Sequence, residues 1–190
     1  MNEPWHDSLP TTMKIHDSTY KIEYDYRVIL DILELLSDPE LNNQEKAIGV
    51  LHIFYPNIAE MQPEHYKEAI EYFFWFLNGG EEDFSDRRTP RLVSWKQDFK
   101  YIVAPINHII GTEIRSLKAL HWFTFLSAYY EIGDSTFAQI VRIRDRIAKG
   151  KVLDKTDREW YRNNRHLVDF KSVYTDSEDK MLKQWGAGKS

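Results

Sequence analysis

The chain has 190 residues, no cysteine and a formal net charge of −5, with 42% hydrophobic and 14% aromatic residues. This content is enough for a packed core and excludes a disordered chain, and the missing thiols exclude disulfides, thiolate metal sites and cysteine nucleophiles. A chain of this length fills one good hydrophobic core and hardly two, so the sequence predicts a helical domain over 13–170 between flexible segments at 1–12 and 171–190.

No apolar run reaches the roughly 20 residues of a membrane helix. The start, MNEPWHDSLP, lacks the basic and apolar regions of a signal peptide. A soluble cytoplasmic protein is expected, with no membrane partner. Charge is unevenly spread: residues 1–83 carry 17 Asp and Glu against 5 Lys and Arg, a balance of −12, whereas residues 84–190 carry 13 acids and 20 bases, a balance of +7. Complementary halves can meet within one chain or between copies, so a homo-oligomer is a candidate.

Met13 and Ile15, then Tyr20 and Ile22, alternate with polar residues around Asp17-Ser18, predicting a short hairpin. From Asp25 the period becomes helical, with Tyr26, Ile29, Leu30, Leu33 and Leu36 in one stripe up to Asp38-Pro39. Asn42 and Glu45 form a capping box for a helix burying Val50, Leu51 and Phe54, ended by Pro56. After Pro63 a third helix carries Tyr66, Ala69, Ile70, Phe73, Phe74 and Leu77 inward until Asn78-Gly79-Gly80. EEDFSDRRTPR at 81–91 reads as a charged surface loop. Ser94 and Gln97 are the expected cap of a fourth helix that contains Pro105 and stops at Gly111. A fifth helix is expected from about Leu117 to Glu131 and a sixth from Ser135 to about Lys149, with Phe137, Ile140, Val141 and Ile147 inward. Thr156 and Glu159 suggest a capping box for a last helix around Trp160. The predicted fold class is mainly α: a single-domain bundle of about seven helices with a small N-terminal β-hairpin.

Chemistry finds little support. In LHWFTFLSAY, residues 120–129, apolar side chains cover nearly the whole helical circumference, as in a core or interface helix. His121 has no histidine or carboxylate three or four positions away, and the other histidines stand singly, so neither a metal site nor a catalytic pair is expected. The final GAGKS lacks the first glycine of a phosphate loop, because position 183 is Lys, and no helix follows it. Arg142, Arg144 and Arg146 in VRIRDRIAKGK could form a phosphate-binding stripe, but the acidic chain argues against nucleic acid and favours a solvated or acid-docking face. No nucleophile, base and oxyanion hole assemble, so no enzyme and no cofactor are expected.

Several segments together resemble a known family: YKIEYDYRVIL, YFFWFLNGG, SWKQDFKYIVAPIN, EIRSLKALHWFTFLSAY and IVRIRDRIAKGK, most specifically Asp98 to Ile102 and Leu120 to Phe125. They resemble small helical proteins of long-tailed phages and prophages of Gram-positive bacteria, encoded before the tape measure gene. The resemblance implies a tail assembly chaperone that binds and solubilises the tape measure protein, helps tail tube protein assemble around it, works in the host cytoplasm and is absent from the mature virion. It implies no catalytic residue. A structural part of the tail or head–tail junction is the alternative, and a nucleic-acid-binding regulator a second. The candidate partner-binding residues are Phe73, Phe74, Trp75, Phe76, Trp122 and Phe125, with Arg142 and Arg146.

Overall fold

The computed structural model describes residues 8–82 and 90–171. Of the expected flexible ends, 1–12 and 171–190, and the expected surface loop, 81–91, residues 1–7, 172–190 and 83–89 lie outside the described residues. Among those described, the fold is mainly α, with eight α-helices behind a two-stranded antiparallel hairpin.

In the hairpin, β1 (Thr12–Ile15) pairs with β2 (Ser18–Lys21), with Met13 opposite Tyr20 and Ile15 opposite Ser18. The turn is therefore His16-Asp17, one residue before the predicted one, and His16 takes the left-handed φ of 49°. Both registers place Met13, Ile15 and Tyr20 on one face, so alternation alone leaves the choice to the turn. The chain is engaged before the expected start at residue 13, since the Ile22 amide donates to the Thr11 carbonyl at 3.2 Å.

Helix α1 (Tyr26–Ser37) buries Tyr26, Ile29 and Ile32 and packs against α2 (Asn43–Phe54), which opens with the predicted Asn42–Glu45 capping box. Two short 3₁₀ turns lead to α3 (Tyr66–Leu77). Here the predicted stripe is rotated: Ala69, Phe73 and Phe76 are buried, whereas Tyr66 and Phe74 are exposed. The hairpin decides this. It packs on α3, the Tyr72 hydroxyl donates to the Thr12 carbonyl at 3.2 Å, and the Tyr55 hydroxyl donates to the Ala69 carbonyl at 2.8 Å.

Helix α4 (Trp95–Ile110) runs on through Pro105 to Gly111. Its entry is not capped by the Ser94 side chain; instead the Ser94 amide donates to Asp98 Oδ2 at 2.9 Å, while Gln97 holds the chain near its described end through the Leu167 and Asp169 carbonyls. Helix α5 (Trp122–Tyr130) starts five residues later than predicted, measured from Leu117 to Trp122. Helix α6 (Thr136–Ala148) begins where expected, with Ser135 as its cap, but buries Ile143 and Arg144, leaving Ile147 exposed. The final predicted helix is two, α7 (Lys155–Asn163) and α8 (Arg165–Val168), broken at Asn164. The cap of α7 is Asp154, whose carboxylate accepts from the Asp157 amide at 2.8 Å, not Thr156. Starting there aims Asp157 back at α6, where Arg142 reaches it.

The core is continuous from Met13 in the hairpin to Phe137 in α6, with α1 and α4 packed together at its centre. Asp25 joins distant parts of it. Its carboxylate caps α1 at the Arg27 amide, takes two hydrogen bonds from the Arg27 guanidinium and accepts from the Leu120 amide at 2.9 Å. Burial opposes the charge, but the hydrogen bonds from Arg27 and Leu120 outweigh it and hold the carboxyl below its ordinary value. Asp25→Ala is expected to cost about 1–2 kcal/mol, the range for a lost helix cap, measured as a lowered urea midpoint. Asp25→Asn, which keeps a capping oxygen, is expected to fall between that variant and the native chain.

Candidate functional site

The stretch 120–129 is not a helix throughout. Residues before Trp122 run extended alongside the start of α1, with the Tyr26 amide donating to the Leu120 carbonyl at 3.0 Å and the Trp122 amide to the Tyr24 carbonyl at 2.7 Å. That docking forces the helix to begin late, and His121 becomes its cap. The His121 Nδ1 accepts from the Phe123 amide at 3.1 Å, and Nε2 donates to the Pro10 carbonyl at 2.9 Å. This pattern requires a neutral ring, since a protonated Nδ1 cannot accept.

Burial lowers the His121 pKa, against the opposing pull of the Pro10 carbonyl. A depressed value means the unfolded chain binds the proton more readily. The contribution of His121 is therefore complete above the ordinary histidine range and lost as pH falls through it towards the folded value. Stability is expected to drop between pH 7 and pH 5, and His121→Asn, which retains a cap, is expected to flatten that drop. Urea titrations at the two pH values check this; equal slopes in both chains would contradict it.

The aromatic residues expected at a partner surface divide sharply. Phe73, Phe76 and Phe125 are 0% exposed and Trp122 is 2% exposed, so these four are core, a correction imposed by the rotation of α3 and the docking of α5. Phe54 touches both Phe73 and Phe76, with ring centroids 5.1 and 5.2 Å away. Phe74 is 44% exposed, and Trp75 is half-buried against Phe123 with centroids 6.2 Å apart. Gly80, at φ 91°, makes that contact possible: a Cβ there would lie 3.3 Å from the Trp75 ring and 3.4 Å from Phe123.

The arginine run divides as well. Arg142 and Arg146 converge on buried Asp157, at 2.6 and 3.4 Å, so the expected basic stripe is partly neutralised within the chain. Arg144, which the sequence shows as one more basic residue, is buried. Its Nη1 donates to Asp98 Oδ2 at 2.5 Å and to the Leu92 carbonyl at 2.9 Å. Nη2 reaches Asp98 Oδ1 at 3.1 Å and the Leu167 carbonyl at 3.0 Å, and Nε the Val168 carbonyl at 2.7 Å. Every guanidinium N–H is used, and Phe170 covers the group with its ring centroid 4.1 Å away. The sole signal in the sequence was the interior position: Arg144 follows Phe137 and Ile140 at helical spacing.

The surface that sequence reasoning missed lies around Tyr130, at the end of α5, which is 71% exposed. On one side is a groove of about 460 Å³ lined by Leu92, Tyr129, Ile132, Phe137, Ala138 and Val141, with Arg142 and Asp145 at its rim. On the other is a groove of about 300 Å³ lined by Asn78, Gly79, Phe123, Leu126 and Ser127, with Glu81 at its edge. Tyr130 lines both, so the two form one strip along α5 and across to α6, mainly apolar on the α6 side and mixed polar and apolar on the other. Among the described residues no group of three or more His, Asp or Glu stands together as a metal site, and no helix is long and apolar enough to cross a membrane.

A family model described as Bacteriophage Gp15 protein matches residues 5–170. The chain belongs to the Bacteriophage Gp15 protein family. No curated protein and no solved structure matches it. The match spans the core, the Asp98–Arg144 pair and the whole Tyr130 strip.

Proposed function

We propose that this Gp15-family chain is a non-enzymatic tail assembly chaperone, which binds an apolar helical segment of the tape measure protein along the strip around Tyr130. The double groove sharing Tyr130 is the observation that carries the reading. An amphipathic helix docks its apolar face into such a groove through side chains spaced one turn apart, and an exposed tyrosine between two hollows suits the role of an anchor. Membership of a phage family and the resemblance to proteins encoded before the tape measure gene support the choice of client. The cytoplasm of the host is the proposed location and absence from the finished virion the proposed fate. Pairing of Arg142 and Arg146 with Asp157 speaks against nucleic acid as the partner.

Tyr130→Ala and Tyr130→Glu are expected to weaken binding of purified tape measure segments by about 10-fold or more, the scale of an interface anchor, with little change in melting temperature. Unchanged affinity in both variants would sink this surface. Mass spectrometry of purified virions separates the chaperone from a structural tail part, which would appear there in many copies.

A further inference from the structure

Among the described residues, the uneven charge of the sequence is not spent in ion pairs between the two halves. Each ion pair between two described residues joins partners within the same half: Asp25 with Arg27 and Lys67 with Glu71 in the acidic half, Asp98 with Arg144 and Asp157 with Arg142 in the basic half. None links an acid of residues 8–82 to a base of residues 90–171. Two separate faces of opposite sign remain.

The acidic face lies on α3. Glu68, Glu71 and Phe74 follow one another at helical spacing on its exposed side, with Glu64 a turn earlier and one base, Lys67, paired with Glu71. The basic face lies where α6 passes into α7. Lys151, Lys155 and Arg158 are exposed there and outnumber the exposed acids of the same stretch, Asp154 and Glu159; Ile147 and Val152 are exposed as well, Val152 to 81%. Each face thus carries exposed apolar side chains beside charge of one predominant sign, and the two signs are complementary. α3 packs on α2 and the hairpin, whereas α7 packs on α8, so the faces occupy different parts of the molecule.

We infer that a second copy of this chain is the occupant: the α3 face of one copy docks on the α6–α7 face of the next. Two different patches make such an interface heterologous, so copies join head to tail, into a closed ring or an open filament. The inference does not depend on the client or on the Tyr130 strip.

Sedimentation velocity of the full chain tests it, with two triple variants. One carries Glu64→Lys, Glu68→Lys and Glu71→Lys; the other carries Lys151→Glu, Lys155→Glu and Arg158→Glu. The native chain is expected to associate with rising concentration at 50 mM salt and to dissociate at 500 mM, where screening is stronger. Each variant alone is expected to stay monomeric where the native chain associates, with at least a 10-fold weaker association constant. Their equimolar mixture is expected to associate again, because one variant then presents two basic faces and the other two acidic ones. The exposed positions should leave circular dichroism and melting unchanged; if a triple variant fails to fold, the single changes Glu68→Lys and Arg158→Glu serve with the same mixing design. A native chain that stays monomeric at every concentration, variants that associate like the native chain, or a mixture that stays monomeric would each overturn the inference.

Discussion

Arg144→Met is expected to destabilise the protein by about 3–5 kcal/mol, the range for breaking a buried ion pair by removing one partner. The change leaves Asp98 charged, buried and without its guanidinium, and strips hydrogen bonds from the carbonyls of Leu92, Leu167 and Val168. For a chain of this length that is a fall of roughly 6–20 °C in melting temperature. Asp98→Asn removes the charge but keeps oxygen and nitrogen in place, so it is expected to cost less. In the double variant the two costs should not add, since each single change already breaks the same contact. The loss should also be local before it is global. Arg144 ties α8 to α4 and α6, so amides of α8 are expected to exchange hydrogen faster in Arg144→Met than in the native chain. Uniform exchange and a cost under about 1 kcal/mol, the value of an exposed pair, would contradict the assignment.

Trp122→Ala is expected to cost a similar amount, about 3–5 kcal/mol for an emptied aromatic site in a core. The indole is stacked on Phe125 with centroids 5.5 Å apart, and its Nε1 donates to the Leu77 carbonyl at 2.9 Å. That carbonyl lies in the last turn of α3, where no amide of the helix can reach it. Trp122 therefore closes the end of one helix with the start of another. Trp122→Phe keeps most of the ring volume and loses the hydrogen bond, for an expected cost of about 1–3 kcal/mol. Denaturant unfolding of both variants measures the difference. Client binding by the fraction that remains folded is expected to be unchanged, because the ring does not reach the surface; specific loss of binding at full stability would make Trp122 a contact residue after all.

Much of the fold was legible in the sequence, and the failures have a common cause. Local signals carried the elements whose ends are decided locally: the Asn42–Glu45 box, the start of a helix at Ser135 and the stop at Gly111 all hold. Signals failed where another element chose between two acceptable readings. YFFWF offers aromatic side chains to every side of α3, and the hairpin rather than the periodicity selects Phe73 and Phe76 over Phe74. Thr156 makes a fair capping box, yet Asp157 is needed by Arg142 and Arg146, which fixes the start of α7 at Lys155. Leu117 to His121 could be helical, but His121 is bridged to Asp25 at the entry to α1 and the Leu120 carbonyl accepts from the Tyr26 amide, so the helix begins only at Trp122. Arg144 reads as one of three surface arginines because only its partner, Asp98, 46 positions away, makes it a core residue.

The candidate surface was less legible than the fold for the same reason. Aromatic density marked Phe73, Phe76, Trp122 and Phe125, and density in a sequence signals burial more often than exposure. The strip around Tyr130 draws several residues each from α5, α6 and the end of α3, and no sequence window contains it. Arg142, at the rim of one groove, is bound to Asp157 and is placed there by the packing of α7.

The most direct test of the proposed function is co-expression with the tape measure protein, recording the client's soluble fraction for the native chain and for Tyr130→Glu. A client that is soluble and co-elutes with the native chain, and that precipitates beside an equally stable Tyr130→Glu, is the expected result. A client whose solubility is the same with the native chain, with the variant and with neither would contradict it.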